Sequence, residues 1–439
     1  SNSNAATFIK KSRLTGYACR KRAARFFHRI SIDEQRGRDM TKPKWRKAGL
    51  AILAAALCMA CKPTASASEL AGSESFYKDE GAHFEVPFEY WSVQGVLRED
   101  GADKPIYFTA HFNRAGSGYF HVRNGYGSLR LADGAHDFRS FGMGVVQALG
   151  KDLLQMRAEQ RPDFPAFRRA YELAEKGEFE NFTLIPEEDA AMHRGRLYIN
   201  LGGNRLERIS NSAFDYQIDL NTWAGVLKLS LLSGREPLYF DANRPVRVES
   251  VSDLYGPEAG MLVGYAVPRL KVSGSLAAKD GEVKLSGEAW LEHWWGKPKG
   301  EAMAQSAKTL ISFPDGGDLL AVKFYDTKGG QVSAVALYKA PDGSMQRDNE
   351  VSFSALESWT SPDTLTIYDV GWKIESEYAR GEIRPAQGAK DSELMLMRGV
   401  GGFWFGPCEF TGSVERAAAM PASGFGFCRF ASIKEYRAD

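Results

Sequence analysis

The sequence is poor in the residues and motifs that mark several common enzyme classes. It contains no H-E-x-x-H, no G-x-S-x-G and no P-loop, so it gives no support to a metallopeptidase, an α/β-hydrolase or a nucleotide-binding enzyme. Its seven histidines are dispersed and show no metal-ligand spacing, and no metal or other cofactor is expected. Cysteine is also scarce, at five residues in 439.

The main part of the chain lacks the excess of basic residues that is typical of nucleic-acid-binding proteins. Residues 1–61 hold 14 Lys and Arg against 3 Asp and Glu, whereas the remainder holds 42 basic and 52 acidic residues. The part expected to fold is therefore acidic, and no nucleic-acid partner is predicted.

The basic N-terminal region has the pattern of an export signal. Residues 1–39 precede a plausible start methionine and are interpreted as an upstream extension. Within 40–61, a basic stretch is followed by the apolar segment 48–60, which is too short to span a bilayer comfortably. Cys61 ends this segment in a lipobox-like position and is predicted to be lipidated; cleavage further on, within ASAS, is the alternative.

This signal predicts the location of the protein and its membrane partner. A lipidated Cys61 would anchor the chain to the membrane on the periplasmic side of a bacterial envelope, and the absence of aspartate after it favours the outer membrane. Residues 62–75 are small and polar and are interpreted as a tether. Cys408 and Cys428 would then form a disulfide in an oxidising compartment, with two buried thiols as the alternative.

The rest of the sequence predicts a mostly β-structure. Aromatic and β-branched runs recur every 10–15 residues between glycine-rich turns, which favours sandwiches or barrels. Residues 143–178 instead show helical spacing and predict a small helical insertion. The expected fold class is all-β, with two consecutive antiparallel β-barrels at 76–278, which includes the insertion, and at 279–439.

Several motifs in order along the chain resemble the carotenoid 1,2-hydratase/AttH-type lipocalin-like family. They are KDEGAHFEVPFEYW, GYAVPRLKVSGSL, GEAWLEHWWG, SWTSP and GFWFG. The resemblance covers about residue 76 to the end, with Glu292 in place of the family's aspartate. It implies two lipocalin-like (calycin) barrels that hold a hydrophobic, lipid-like or polyene-like small molecule. It also implies, as an alternative, a cofactor-free hydro-lyase that adds water to an alkene, and an envelope transporter is a candidate partner.

The segment GEAWLEHWWG carries the predicted chemistry. Glu292 would be the acid that protonates an alkene and His293 the base that activates water, because burial can keep a carboxylic acid protonated. On a regular strand, however, successive side chains point to opposite faces, so the two cannot enter one cavity and one of them is predicted to be structural. The predicted ligand-binding residues are Trp91, Tyr107, His111, Tyr265, Trp290, Trp294, Trp295 and Trp404. A purely structural alternative makes the tryptophans core residues and has the Glu–His pair tie the two barrels together.

Overall fold

The computed structural model describes residues 80–116, 121–210, 214–240, 246–247, 260–297, 305–325, 331–415, 420–432 and 434–436. The predicted upstream extension, signal, Cys61 and tether lie outside these residues. Within the described part, no helix combines the length and apolarity needed to cross a membrane.

The first sheet contains fourteen strands and curls around an apolar interior. Neighbouring strands pair antiparallel except for one parallel pair, β4 with β5. The pairing order is β5-β4-β3-β2-β1-β14-β13-β10-β9-β8-β7-β6, and β11 and β12 add to β13. The strands are β1 Phe88–Glu99, β2 Ile106–Ala115, β3 Val122–Arg130, β4 His136–Gly142, β5 Phe182–Leu184, β6 Ala190–Met192, β7 Tyr198–Leu201, β8 Asn204–Arg208, β9 Tyr216–Thr222, β10 Gly225–Leu232, β11 Leu238–Phe240, β12 Val246–Arg247, β13 Met261–Ala278 and β14 Gly281–Lys297.

The second sheet contains ten antiparallel strands and curls around an interior of its own. Its pairing order is β18-β17-β16-β15-β24-β23-β21-β20-β19, and β22 adds to β23. The strands are β15 Ser306–Ser312, β16 Asp318–Tyr325, β17 Gln331–Lys339, β18 Met345–Asp348, β19 Ser352–Thr360, β20 Ile367–Glu375, β21 Ala379–Pro385, β22 Glu393–Met397, β23 Val400–Val414 and β24 Met420–Ala431. The predicted all-β fold with two consecutive β-units is confirmed.

The two helices follow β4 and form the predicted insertion. They are α1 Gly144–Gln160 and α2 Pro165–Glu175, and the fixed φ of Pro165 suits the first turn of α2. The insertion packs on the second sheet as well as the first. A Cβ at Gly150 would lie 2.3 Å from the Met397 sulfur, so the absent side chain permits this close approach. Arg157 donates to the carbonyl of Thr364 from the same helix.

The boundary between the two units differs from the predicted one. β13 ends at residue 278 and a two-residue turn follows. β14 then returns along β13 and pairs with the full length of β1. β14 therefore completes the first sheet, and the second sheet begins at Ser306 rather than at 279. The predicted boundary falls on the turn of this hairpin, and a turn inside a hairpin cannot separate two units.

A third buried layer lies between the two sheets. Its residues come from the outer face of the first sheet, from α1 and from the facing side of the second sheet, and they include Trp290, Trp294 and Phe405. Hydrogen bonds and ion pairs between the two units stabilise this layer. Arg269, which has φ 55° at a bulge of β13, donates to Asp318 at 2.9 Å and to the carbonyl of Phe313 at 2.6 Å in the second unit.

Candidate functional site

Strand β14 distributes the predicted site residues over two separate cores. His293 and Trp295 point into the interior of the first sheet, whereas Trp290 and Trp294 point into the layer between the sheets. Glu292 lies on the second of these faces, where it contacts Trp294. The prediction that strand alternation separates Glu292 from His293 is therefore confirmed, and no bulge in β14 brings the two together.

Inside the first sheet, His293 belongs to a cluster around Glu89. The Nε2 atom of His293 and the Nδ1 atom of His83 lie 2.9 Å and 2.8 Å from the same Glu89 oxygen, Oε1. The other oxygen accepts from Arg114 Nε at 2.7 Å, and the backbone N–H of His83 lies 3.0 Å from both oxygens. His293 is therefore the residue of the Glu–His pair that has a structural role inside the first sheet.

Charge pairing and ring stacking both stabilise this cluster. Burial alone would raise the pKa of Glu89, but the Arg114 charge and the hydrogen bonds from both histidines outweigh it and hold that pKa well below its ordinary value. Trp91 stacks on His293 with a ring separation of 4.4 Å, and Trp295 stacks on His83 at 4.3 Å. These residues therefore act as a packed and hydrogen-bonded support for the N-terminal end of the first sheet.

The same three side chains include the donor types of a metal site. One ligand atom each from His83, Glu89 and His293 lies within 4.8 Å of the others. The contacts do not favour a cation, however. Glu89 already accepts from Arg114, both histidines and a backbone N–H, and a metal ion there would lie beside the buried guanidinium. The cluster fits a hydrogen-bond network better than a metal centre.

Between the sheets, Glu292 lies at the centre of a second polar network. Its Oε1 accepts from Gln94 Nε2 at 3.0 Å and its Oε2 from Trp294 Nε1 at 3.1 Å. Lys308, from β15 of the second sheet, forms an ion pair with Oε2 and donates to the Tyr90 hydroxyl at 2.8 Å. Both members of the ion pair are buried, so the network joins the two sheets in an apolar layer.

A row of buried polar residues runs from Glu292 across four further strands. Register pairs Glu292 with Ser92, Ser92 with His111, His111 with Tyr126, and Tyr126 with Ser140. Residues directly opposite one another share a face, so all five face the second sheet. Buried polar groups cost stability unless they are bonded, which makes such a row a candidate functional surface.

The histidine of this row is held neutral. Burial lowers the pKa of His111 well below its ordinary value, and the charges of Arg429 and Lys308 lower it further. His111 Nε2 lies 2.9 Å from the Asn113 carbonyl oxygen, which can only accept, so this nitrogen carries the hydrogen. Nδ1 then accepts from the Ser92 hydroxyl at 2.5 Å. Burial also raises the pKa of Tyr126 to about 12, so its hydroxyl remains protonated at neutral pH.

A cavity of about 20 Å³ adjoins the Glu292–Lys308 pair. The apolar part of its wall comes from both sheets, and the polar part comes mainly from two cationic side chains of the second sheet. The lining residues are Tyr90, Leu262, Trp294, Ser306, Lys308, Val322, Phe324 and Arg429. A volume of this size holds about one water molecule.

The other predicted ligand residues fall in three places. Tyr265 lies inside the first sheet, where its ring is perpendicular to that of His293 with the ring centroids 5.4 Å apart. Tyr107 is partly buried beside the inter-sheet layer and stacks on Phe425 at 6.1 Å. Trp404 lies inside the second sheet, where it stacks on Phe430 and donates to the carbonyl of Lys390. The structure therefore does not assemble the predicted ligand residues into one site.

The predicted disulfide is not formed. Cys408 and Cys428 are buried free thiols on β23 and β24. In the register of these strands, Cys408 opposes Gly426 and Cys428 opposes Gly406, so the two cysteines are diagonal neighbours rather than a directly opposed pair. The Cys428 thiol is directed to the Thr309 hydroxyl at 3.1 Å, and burial raises the pKa of Cys408 well above its ordinary value. The alternative of two buried thiols therefore applies.

Sequence reasoning missed the cationic half of the inter-sheet site. Lys308 and Arg429 were not among the predicted residues, although each interrupts an otherwise apolar strand, in AKTLISF and GFGFCRFASI. A single basic residue in a strand whose composition predicts burial indicates a paired or functional cation, and this pattern could have identified both residues. Arg114, the charge partner of Glu89, was also missed.

Comparison with known families gives one match, and comparison with solved structures gives several. The AttH-like family model matches residues 177–431, which is more than half of the chain. No curated protein matches.

Two crystal structures share the fold at low sequence identity. An AttH candidate from Nitrosomonas europaea is 19% identical and has a TM-score of 0.62, with 83% of this chain and 98% of that chain covered. Kievitone hydratase from Nectria haematococca is 11% identical and has a TM-score of 0.57, with 86% and 95% covered. At these identities the likeness concerns the fold alone.

Proposed function

The chain belongs to the AttH-like family, and from this premise we propose that it binds a hydrophobic, lipid-like or polyene-like molecule between its two sheets. The observation that carries the proposal is the cavity beside the Glu292–Lys308 pair, where an apolar wall from both sheets meets a few polar groups. Ligand sites are typically apolar clefts with a small number of placed polar side chains, often at the junction of two structural units.

The cavity has an apolar wall and a polar end. Leu262, Val322 and Phe324 supply an aliphatic and aromatic surface, whereas Lys308 and the Tyr90 hydroxyl supply the polar end. The cavity holds about one water, so a long ligand enters only if side chains of the inter-sheet layer move apart. The separation of these packed apolar groups costs free energy. Burial of the ligand's own apolar surface offsets that cost.

A cavity-filling variant tests this site. Val322→Phe adds a ring at the cavity wall. The control is Val335→Phe, which makes the same change on β17 at the residue directly opposite Val322. Val335 belongs to the same buried layer but does not line the cavity. We expect Val322→Phe to reduce binding of a fluorescent polyene such as parinaric acid, and Val335→Phe to retain it when both variants remain folded. Equal binding by the wild type and Val322→Phe would place the ligand elsewhere.

The proposal includes an anchored location. A signal that ends at Cys61 would attach the chain by lipid to the periplasmic side of a bacterial envelope, at the outer membrane, where a transporter could exchange ligand with it. Metabolic labelling with palmitate in a Gram-negative host tests the anchor, with Cys61→Ser as the control. Label retained in that variant, or no label in the wild type, would contradict lipidation at Cys61.

A second candidate function is hydration of a hydrophobic alkene. The observation that favours it is the row of buried polar side chains that starts at Glu292, because ionisable groups in apolar clefts are typical of catalytic sites. Acid-catalysed water addition needs a proton donor. Lys308 and Tyr90 line the cavity, and the Glu292 carboxyl group lies behind them as the ion-pair partner of Lys308. Incubation with a carotenoid in ¹⁸O-water should give labelled alcohol that Glu292→Gln abolishes; unchanged turnover in that variant would remove Glu292 from the reaction.

A further inference from the structure

Two cationic side chains lie directly opposite each other at the inter-sheet cavity. Lys308 on β15 pairs in register with Arg429 on β24, so the two side chains share one face of the second sheet. Both line the cavity. Like charges in directly opposed positions are destabilising, and the burial of Lys308 strengthens this repulsion. Negative charge nearby would therefore stabilise the pair.

The described residues supply only part of that charge. Glu292 forms an ion pair with Lys308. Arg429 has no ion pair with any residue that the structure describes; its guanidinium instead lies over the rings of Tyr90 and Phe403, at 4.7 Å and 4.3 Å from their centroids. The Arg429 Nε atom is buried and has no hydrogen-bond acceptor within the described part of the chain. Among the described residues, Arg429 therefore has no counter-ion.

The positive charge at the cavity also affects the neighbouring His111. The charges of Arg429 and Lys308 both lower the pKa of His111, in addition to the effect of burial. His111 is therefore neutral and adds no further cation, and its hydrogen bonds go to the neutral groups Ser92 and Asn113. Of the charged groups that the structure describes at this cavity, two are cations, and the one carboxylate beside them is that of Glu292.

We propose that this cavity binds the carboxylate head of a fatty-acid-like molecule, with Arg429 as its main partner and the acyl chain along Leu262, Val322 and Phe324. This inference rests on the proposed function and specifies the ligand class. A carboxylate would provide the missing charge and would satisfy the guanidinium with paired hydrogen bonds. The apolar side chains of the wall, drawn from both sheets, match a hydrocarbon chain.

The size of the cavity favours a carboxylate over a larger anionic head. Its volume of about 20 Å³ is near that needed for one water, so a planar group of three heavy atoms is accommodated with a smaller displacement than a tetrahedral phosphate. Tyr90 and Phe403 hold the guanidinium from ring contacts, which limits the movement that a larger head would need.

Three ligands of equal chain length test the charge separately from the hydrophobic site. Isothermal titration with palmitate, hexadecanol and hexadecyl phosphate should give the tightest binding for palmitate, because only palmitate offers both the charge and the small head. A hydrogen bond to a charged group changes an equilibrium by about 10- to 100-fold, so Arg429→Gln should weaken palmitate by that factor and leave hexadecanol nearly unchanged. Arg384→Gln, at an exposed arginine of β21, serves as the control.

The outcomes separate this inference from the proposed function. Equal binding of palmitate and hexadecanol by the wild type would overturn the carboxylate site while leaving hydrophobic binding intact. Tighter binding of hexadecyl phosphate would overturn the choice of a carboxylate head. Binding of none of the three would overturn both proposals. Hexadecanol binding reports whether Arg429→Gln is folded, and Arg429→Lys, which retains charge but loses the planar fork, should weaken palmitate to an intermediate degree.

Discussion

Removal of Lys308 is expected to weaken the junction between the two sheets. Lys308 and Glu292 are 7% and 1% exposed at their side chains, so Lys308→Met leaves a buried carboxylate with only the Gln94 and Trp294 donors. Loss of one partner of a buried ion pair typically costs about 3–5 kcal/mol of folding free energy. Since domains are stable by roughly 5–15 kcal/mol, this is a large share of the total.

The double variant distinguishes the ion pair from general damage to packing. In Glu292→Gln/Lys308→Met neither charge of the pair remains, so we expect most of the lost stability to return. The exposed pair Lys373–Glu375, at 51% exposure for both side chains, is the matched control, and its removal should cost less than about 1 kcal/mol.

Equilibrium unfolding in urea, followed by tryptophan fluorescence, measures all of these variants. The midpoint should fall in each single variant at Glu292 or Lys308 at nearly constant slope. If Lys308→Met costs less than about 1 kcal/mol, or if the double variant is as unstable as the sum of the single variants, the pair does not join the sheets in the way described.

Further predictions concern the other buried polar groups. Because the pKa of His111 is lowered in the folded state, its contribution to stability is complete above about pH 6.5 and is lost as pH falls below that value; His111→Gln should remove up to about 1.4 kcal/mol per pH unit from the wild-type slope in urea titrations between pH 6.5 and 5. Glu89→Gln should cost about 3–5 kcal/mol in the same assay because Arg114 loses its buried partner; a change within 1 kcal/mol would contradict the supporting role of this cluster. Cys408 and Cys428 should resist iodoacetamide until the protein unfolds, as peptide mapping would reveal, and a Cys408–Cys428 linked peptide from native protein would contradict the free thiols.

Sequence patterns predicted the fold class and the placement of individual side chains better than they predicted the site. Strand periodicity and the insertion at 143–178 both correspond to elements of the structure, because they depend on local spacing. The alternation along GEAWLEHWWG even assigned Glu292 and His293 to different faces. These features follow from backbone geometry and need no knowledge of distant residues.

The partners across the sheets could not be predicted in the same way. Glu292 meets Lys308 only because β15 belongs to a different sheet that packs on the outer face of the first. Arg429 reaches the same cavity from β24, over a hundred residues away in sequence from Lys308. The error at 278/279 has a related cause, since a hairpin turn and a boundary between units share the same local composition.

The two-sided role of β14 has a consequence for the evolution of the chain. The strand is hydrogen-bonded on both edges, to β1 and to β13, and each of its faces belongs to a different core. An insertion or deletion of one residue would send Glu292 towards Glu89 and turn His293 towards Lys308, exchanging the contents of the two cores at once. We therefore expect this strand to accept a changed residue type far more readily than a change in its length. Length variation in homologues should accumulate at the turn around Lys279 instead.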